Sequence, residues 1–318
     1  SFMKKRRTKR KKAVRTTAPN RTYKARIFEM VFSDKKELLA LYNAINKTKY
    51  DDPELLEINT LENAIYMSMK NDVSFIIDSR LSLYEHQSTY SPNLPLRYLM
   101  YIADLYSVLT RKENLYGHKA VMIPVPFFVI FYNGEEQLPD RVLLPLSDLF
   151  KTPKSFLNNE EYKELYPALE LKALLLNINP RHDQELMNSC KTLKDYSEYT
   201  ARVRQYAKVM NLEDAVERAI TECIAEGILS DFLEKNRAEA KSVSIYEYDQ
   251  ERHLRQEREE AREEGEKIGR EAGIRAFVID HIEEGMPPEK SILKLQKLFS
   301  LTNEEAKSYY EEYSQTNC

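Results

Sequence analysis

Three polar residues that could build a metal site lie close together in a segment that otherwise reads as two buried strands. Asp72 opens the apolar stretch "DVSFIID", and Glu85 and Gln87 lie in "LSLYEHQS", which alternates at period two. In a strand that runs from Leu81, Glu85 and Gln87 share one face and His86 lies on the other, because side chains alternate across a strand. If Asp72 pairs across the hairpin near the same end, its carboxylate converges with Glu85 and Gln87 at one edge of the sheet.

Two carboxylates that lie side by side repel each other unless a cation neutralises them. Oxygen ligands without thiolates or clustered imidazoles favour Mg²⁺ or Mn²⁺, which accept one or two carboxylates and keep water as further ligands. Such an ion lowers the pKa of a bound water and stabilises charge on a phosphoryl oxygen, which is the chemistry of phosphodiester hydrolysis. The alternative is that these are ordinary acids of a surface hairpin, and spacing alone does not separate the two interpretations.

The charge of the chain is divided unevenly along its length. The 318 residues include 48 Lys and Arg and 51 Asp and Glu, which gives a formal net charge of −3. Eight of the nine residues from position 4 to position 12 are basic, beginning with Lys4, Lys5, Arg6 and Arg7. Such a segment attracts polyanions, so we expect residues 1–21 to be a disordered basic tail that contacts the phosphates of DNA. A solubilising or targeting tail is the alternative interpretation.

The first two thirds of the chain predict strands flanked by helices, which indicates an α/β or α+β domain. Residues 27–45 form two apolar helical stretches on either side of Ser33-Asp34, where Asp34 is a candidate N-cap. The predicted hairpin turns at residues 78–80, and Leu96–Leu109 returns to a helical period. The stretch "AVMIPVPFFVIFYNG" is then a further strand, apolar on both faces, that ends at Asn133-Gly134.

From about residue 156 the pattern is mostly helical. The stretches "YPALELKALLLNI", "TLKDYSEYTARVRQYAKVM" and "LEDAVERAITECIAEGILSDFLEKN" each place apolar residues three and four apart, which predicts helices that cap or extend the domain. A charge-dense helix follows, and the last segment reads as two short helices in which Thr302 and Glu305 form a capping box. We therefore expect a tail at 1–21, a main domain at 22–236 and a helical module at 237–318.

The cysteines and the apolar runs argue against a disulfide-rich, a zinc-binding and a membrane-spanning protein. Cys190, Cys223 and Cys318 are odd in number and far apart, so neither a disulfide framework nor a zinc site is indicated. The longest apolar run has twelve residues and contains Pro124 and Pro126, which is too short for a membrane span. No apolar stretch of a secretory signal follows the basic start, so we expect a cytoplasmic protein that has no membrane partner.

Several segments together resemble a known family. "NDVSFIID", "LYEHQSTYSPNLPLRYLMYIADLY" and "PVPFFVIFYNG" are similar to signature segments of the recombination-promoting nuclease (Rpn) and putative transposase family, within the PD-(D/E)XK nuclease superfamily. The likeness runs from about Tyr23 to about Asp249, and "EHQS" followed by Pro-Asn-x-Pro-x-Arg is a fairly specific part of it. The resemblance implies a restriction-endonuclease-like core, with a central mixed sheet flanked by helices and a C-terminal helical extension.

The resemblance also implies roles for individual residues. Asp72 would be the metal-binding aspartate of the second core strand, Glu85 the acid of the D/E-x-K motif on the third, and Gln87 takes the place of the lysine. The main-chain carbonyl of His86 is a further candidate ligand for Mg²⁺ or Mn²⁺, while its side chain is expected to pack. Arg97 matches an arginine of the family, and its two candidate roles are contact with phosphate and an ion pair to the core.

One position departs from the family pattern. Relatives often carry an acid in the first helix, where this chain has Ala25, which cannot bind a metal. Glu29 and Glu62 are candidates to supply the missing acid, and each could equally be a solvated surface residue. Our first hypothesis is a metal-dependent DNA endonuclease associated with recombination or mobile elements. The alternative is a DNA-binding or assembly protein on a nuclease scaffold that has lost catalysis, and in either case the C-terminal helices are candidates to form a homodimer.

Overall fold

The computed structural model describes residues 26–58, 72–77, 79–151 and 166–315. For Asp72, at the start of a strand, it describes the backbone and not the side chain. The basic tail expected at 1–21, the departure at Ala25 and the candidate acid Glu62 all lie outside the described residues. Within them, no helix is both long enough and apolar enough to cross a membrane.

The described residues form helices and strands that alternate in the first part of the chain and are followed by helices alone. The helices are α1 (Ile27–Phe32), α2 (Lys35–Asn46), α3 (Leu94–Leu109), α4 (Gln184–Ser189), α5 (Lys191–Ala207), α6 (Leu212–Glu226), α7 (Ser230–Lys235), α8 (Arg237–Glu283), α9 (Pro288–Phe299) and α10 (Asn303–Gln315). The strands are β1 (Glu57–Ile58), β2 (Asp72–Ile77), β3 (Arg80–Gln87), β4 (Val125–Tyr132), β5 (Arg141–Pro145) and β6 (Lys172–Asn177).

The strands form one mixed sheet in the order β1-β2-β3-β4-β6-β5. β1, β2 and β3 are antiparallel neighbours, and α3 then carries the chain to β4, which lies parallel to β3. β6 is parallel to β4, and β5 pairs with β6 in the antiparallel direction. The predicted class, a mixed α+β domain with helices beside a central sheet, is confirmed.

Helices cover both faces of the sheet, so the sheet separates two cores. Residues of α1, α2, α5 and α6 build one core, which includes Phe28, Tyr84 and Tyr196. Residues of α3 build the other, which includes Leu83 and Tyr98. Because successive residues of β3 enter opposite cores, the polar residues that follow Tyr84 on this strand face two different environments.

Local sequence signals set several helix ends. The side chain of Asp34 accepts hydrogen bonds from the backbone N–H groups of Lys36 (2.8 Å) and Glu37 (3.3 Å), and so caps α2. Before α10, the Thr302 N–H donates to the Glu305 carboxylate at 2.8 Å, and the Glu305 N–H donates to the Thr302 hydroxyl at 3.2 Å. The predicted N-cap and the predicted capping box are both confirmed.

One predicted helix is wrong. Within "YPALELKALLLNI", residues Lys172–Asn177 form strand β6. This strand pairs with both β4 and β5, and Ala173, Leu175 and Leu176 are buried. A strand buried on both faces shows a continuous apolar run, and a short run of this kind cannot be told from a buried helix by its periodicity. Pairing with strands that are distant in sequence decides the outcome.

The chain divides into two compact units between Glu247 and Tyr248, inside α8. This division falls later than the boundary expected at residue 236. In the second unit, Val278 of α8, Leu295 of α9 and Ala306 of α10 pack into one cluster. The second unit is therefore a helical module with a core of its own.

Candidate metal and phosphate site on strand β3

Strands β2 and β3 bring the two predicted acids into register. The antiparallel pairing puts Asp72 directly opposite Glu85, at the end of the hairpin away from its turn. Directly opposed positions of an antiparallel pair are neighbours on one face of the sheet. Ser79 has φ of 60°, in the left-handed region, within the tight connection that precedes Arg80. This short turn fixes the register, and the register decides which residue stands opposite Glu85.

Glu85 is the buried centre of this arrangement, with 1% of the residue exposed. Its Oε1 accepts hydrogen bonds from Arg97 Nη2 at 2.9 Å and from the Nε2 of Gln87. Its Oε2 is buried and has no hydrogen-bond partner among the residues that the structure describes. A buried carboxylate oxygen without a donor is unfavourable, so Oε2 is the atom at which a ligand would be stabilised most.

Burial dominates the electrostatics of Glu85. Loss of solvation raises the pKa of its carboxyl group above the usual value. The positive charge of Arg97, the amide of Gln87 and the positive charge of Arg26 lower the pKa and offset only part of that rise. The site therefore favours a proton or an additional cation on this carboxylate.

Arg97 reaches Glu85 from the first turn of α3. The Arg97 N–H donates to the Asn93 carbonyl at 3.1 Å, and the Tyr98 hydroxyl donates to the Val129 carbonyl of β4 at 3.2 Å, so the start of the helix is fixed beside the strands. The Arg97 side chain itself remains 39% exposed. Of the two roles expected for Arg97, phosphate contact and an ion pair to the core, the structure shows the ion pair. Its partner is Glu85, the candidate metal ligand.

The turn after β4 packs against the segment that follows β3. A Cβ atom at Gly134 would stand 2.3 Å from the carbonyl oxygen of Ser88, which is too close for any side chain. The Asn133 N–H donates to the Gln87 carbonyl at 3.1 Å. Gly134 thus permits a close approach that holds the end of β3 in place. This role is structural, in keeping with the turn expected here.

The side chain of His86 lies on the opposite face of β3, where it stacks on Phe28 with 5.3 Å between ring centroids. Its Nδ1 is 3.1 Å from Arg26 Nη1, and its Nε2 is 3.0 Å from both Asn133 Oδ1 and the Tyr196 hydroxyl. Burial, together with nearby arginines, lowers the pKa of His86 well below its usual value. Because a guanidinium only donates, Nδ1 accepts from Arg26, and the neutral ring donates from Nε2.

The backbone carbonyl of His86, the third expected metal ligand, accepts a hydrogen bond from Arg26 Nη1 at 3.1 Å. A cation at this oxygen would lie close to that guanidinium and be repelled by it. The carbonyl is therefore a poorer ligand position than Glu85 Oε2, which has no donor in the described part of the chain.

A polar cluster around the buried His86 ring was not anticipated from the sequence. It consists of His86, Arg26, Asn133, Tyr196 and Arg204, and Arg204 donates to the Asn133 carbonyl and to its Oδ1. The members come from separate segments, so no local pattern connects them. The available signal was His86 itself, because a polar ring at an inward strand position needs hydrogen-bond partners.

Glu29, one candidate for the missing acid, lies on α1. Its Oε2 accepts a hydrogen bond from the Arg26 N–H at 3.3 Å, while Oε1 is buried without a hydrogen-bond partner among the described residues. Burial raises the pKa of Glu29 to about 7. Through Phe28, α1 packs on the face of the sheet that holds His86. Ionisation of Glu29 therefore lowers the stability of the folded protein, as ionisation of Glu85 does.

The donor atoms of the site fit a hard divalent cation. Mg²⁺ needs only one or two carboxylates, because water fills its remaining positions. Glu85 supplies a buried oxygen without a donor in the described part of the chain, and Asp72 stands opposite it in register. Among the described side chains, no group of three or more His, Cys, Asp or Glu is placed to hold a metal ion.

No family model, curated protein or solved structure gives a match to this chain. The resemblance to the recombination-promoting nuclease family therefore rests on the sequence segments quoted above, and its implications remain proposals. The proposed function is therefore inferred from the geometry and charge of the Glu85 site.

Proposed function

We propose that this protein is a metal-dependent DNA endonuclease that hydrolyses phosphodiester bonds in recombination or in mobile elements. Asp72 and Glu85 hold Mg²⁺ or Mn²⁺, and Gln87 orients a water or a phosphate oxygen. The observation that carries the proposal is Glu85 Oε2, a buried oxygen with no hydrogen-bond partner in the described residues, opposite Asp72 in register. When bound, the cation lowers the pKa of a water and stabilises charge on the phosphoryl oxygen.

The energetics of Glu85 favour a ligand over a purely structural role. A carboxyl group whose pKa is raised by burial costs free energy to ionise in the folded protein. An apolar side chain would fill a buried strand position at lower cost, as Leu81 and Leu83 do on the same face of β3. A bound cation removes the cost that Glu85 otherwise imposes.

The order of the elements supports a restriction-endonuclease-like core. The resemblance implies acids on the second and third core strands, and Asp72 and Glu85 lie on β2 and β3. Because β3 and β4 are parallel, their carboxyl ends lie at one edge of the sheet. Open α/β sheets bind ligands at the carboxyl ends of their strands, and Glu85 and Gln87 are at that end of β3.

DNA is the proposed substrate because two basic groups complement a polyanion. Eight of the nine residues at positions 4–12 are basic, and such a segment binds phosphates without regard to base sequence. Arg97 adds a partly exposed guanidinium in contact with Glu85. Gln87 orients through its amide but carries no charge, so Arg97 provides the positive charge that a lysine at position 87 would supply.

Cleavage of supercoiled, linear and single-stranded DNA in magnesium or manganese tests the proposal. The wild type should cut at least one form, and Asp72→Asn and Glu85→Gln should each lower the rate by about 100-fold or more, because each removes a metal-binding charge. Asp104→Asn is the matched control, since Asp104 is an exposed acid of α3, and it should cut like the wild type. Undiminished cleavage by Glu85→Gln would refute the assignment.

The contact between Arg97 and Glu85 favours a second candidate, a DNA-binding or assembly protein without catalysis. The guanidinium lies 2.9 Å from Oε1 and neutralises the carboxylate without a metal. Under this alternative, the protein retards DNA in a mobility-shift assay without magnesium, and neither metal supports cleavage of any DNA form.

A homodimer formed through the C-terminal helices fits either function. Light scattering of the full chain and of a truncation after Asn236 tests it.

A further inference from the structure

The guanidinium of Arg97 neutralises the carboxylate that the proposed function gives to a metal ion. Its Nη2 donates to Glu85 Oε1 at 2.9 Å. The Glu85 side chain is only 2% exposed, whereas that of Arg97 is 39% exposed. One partner of this ion pair is fixed in the interior, and the other reaches it from the solvent side.

A divalent cation at Oε2 and the Arg97 guanidinium at Oε1 would share one carboxylate. Both are positively charged, and their repulsion is strong because a buried site screens charge weakly. Arg97 in this position therefore weakens metal binding. If Arg97 turns away, Glu85 becomes a buried carboxylate that strongly favours a new cation.

We propose that the Arg97–Glu85 ion pair keeps the metal site closed until a DNA phosphate takes the guanidinium from the carboxylate. This inference rests on the proposed function and deepens it, because it makes the substrate phosphodiester the ligand that opens the site. Metal and DNA phosphate then bind with positive cooperativity. By thermodynamic linkage, each strengthens the binding of the other by the same factor.

Phosphate is an anion that suits Arg97. A guanidinium can bind phosphate through two parallel hydrogen bonds, and Arg97 makes a single one to Glu85 among the described residues. Arg97 also lies in the first turn of α3, a helix of 16 residues whose N-cap, Asn93, makes no side-chain capping bond. The positive end of this helix adds to the attraction for an anion.

The other two neighbours of this carboxylate are less able to act as such a switch. Gln87 carries no charge and lies on the same strand as Glu85, so it can stay beside the carboxylate whether or not a metal binds. Arg26 is held by the ring and the carbonyl of His86, both at 3.1 Å, on the other face of the sheet. Arg97 combines contact with Glu85 and access to solvent.

Manganese binding by the full-length protein, followed through the electron paramagnetic resonance signal of free Mn²⁺, tests this proposal without catalysis. A short phosphorothioate duplex that resists cleavage should tighten Mn²⁺ binding to the wild type by about tenfold, the size expected for one charge-assisted hydrogen bond. Without DNA, Arg97→Gln should bind Mn²⁺ about tenfold more tightly than the wild type. Adding the duplex should improve its affinity by less than about twofold.

Three variants control the measurement. Arg111→Gln removes an exposed arginine just beyond α3 and should behave like the wild type. Glu85→Gln corrects for Mn²⁺ that the duplex attracts by itself. Arg97→Met keeps the apolar stem of the side chain and replaces Arg97→Gln if that variant fails to fold. The tightening of Mn²⁺ binding by the duplex is measured on the wild type, so it tests the proposal even if neither Arg97 variant folds.

The outcomes separate this inference from the proposed function. Glu85-dependent Mn²⁺ binding that the duplex does not tighten in the wild type would overturn the closed site and leave the metal site standing. Equal Mn²⁺ affinity of the wild type and the Arg97 variants, measured without DNA, would also overturn the closed site and leave the metal site standing. No Glu85-dependent Mn²⁺ binding, with or without duplex, would refute the proposed function and this inference together.

Discussion

Glu85 and His86 are adjacent on β3, and both are polar and buried, but they lie on opposite faces of the strand and differ in how completely their polar atoms are hydrogen-bonded. Each ring nitrogen of His86 has a partner, Arg26 at Nδ1 and Asn133 and Tyr196 at Nε2. Glu85 has two donors on one oxygen and none on the other among the described residues. A fully bonded cluster stabilises a fold, whereas a buried carboxylate oxygen without a partner is a candidate position for a cation. The comparison separates a structural polar residue from a candidate functional one.

The largest effect expected from this comparison is on stability. His86→Ala should lower the free energy of unfolding by about 3 kcal/mol, because Arg26 and Asn133 lose a buried partner. Glu85→Gln, one residue away, should change it by less than about 1 kcal/mol or raise it, because the amide does not ionise. Urea denaturation at pH 8 measures both changes. A loss for Glu85→Gln as large as that for His86→Ala would remove the distinction between the two faces.

A smaller effect is expected at Glu29, a second acid with a buried oxygen that lacks a partner in the described residues. Burial raises its pKa from 4.5 to about 7, so the folded protein binds the proton more tightly than the unfolded chain. The stability from this proton is complete below pH 4.5 and is lost as the pH rises to about 7. A rise of the pKa from 4.5 to about 7 corresponds to about 3 to 4 kcal/mol, and solvent screening of this half-buried side chain lowers the expected loss to about 2 to 3 kcal/mol.

Glu29→Gln tests this pH dependence. The amide cannot ionise, so the variant should lose less stability than the wild type as the pH rises from 4.5 to 8. Urea denaturation of both proteins at a series of pH values gives the two slopes. Parallel slopes would show that Glu29 ionises without penalty, and its buried oxygen would then not resemble that of Glu85.

The parts of the fold that local sequence decides could be predicted. Period-two alternation and a short polar link were enough to predict the hairpin. The exact register was not predicted, because Arg80 pairs with Ile77 and the turn is one residue shorter than the expected link at 78–80, and this shorter turn puts Asp72 opposite Glu85. The cap at Asp34 and the box at Thr302 and Glu305 depend on side chains within three residues of the N–H groups that they bond.

The parts that depend on distant segments could not be predicted. β6 is a strand because β4 and β5 flank it, and its apolar run alone also fits a helix. The partners of His86 come from elements before β2, after β4 and within α5, so no spacing indicates them. For Arg97 the sequence offered phosphate contact or an ion pair, and only the packing of α3 identifies Glu85 as the partner.

Calorimetric titration of Mn²⁺ into the protein with a short phosphorothioate duplex bound tests the central claim most directly. The wild type and Asp104→Asn should bind about one ion per chain at the proposed site, and Glu85→Gln should lose that binding, since Glu85 provides the buried ligand. Binding by Glu85→Gln that equals the wild type would contradict the claim, because Oε2 of Glu85 would then not be the atom that holds the metal.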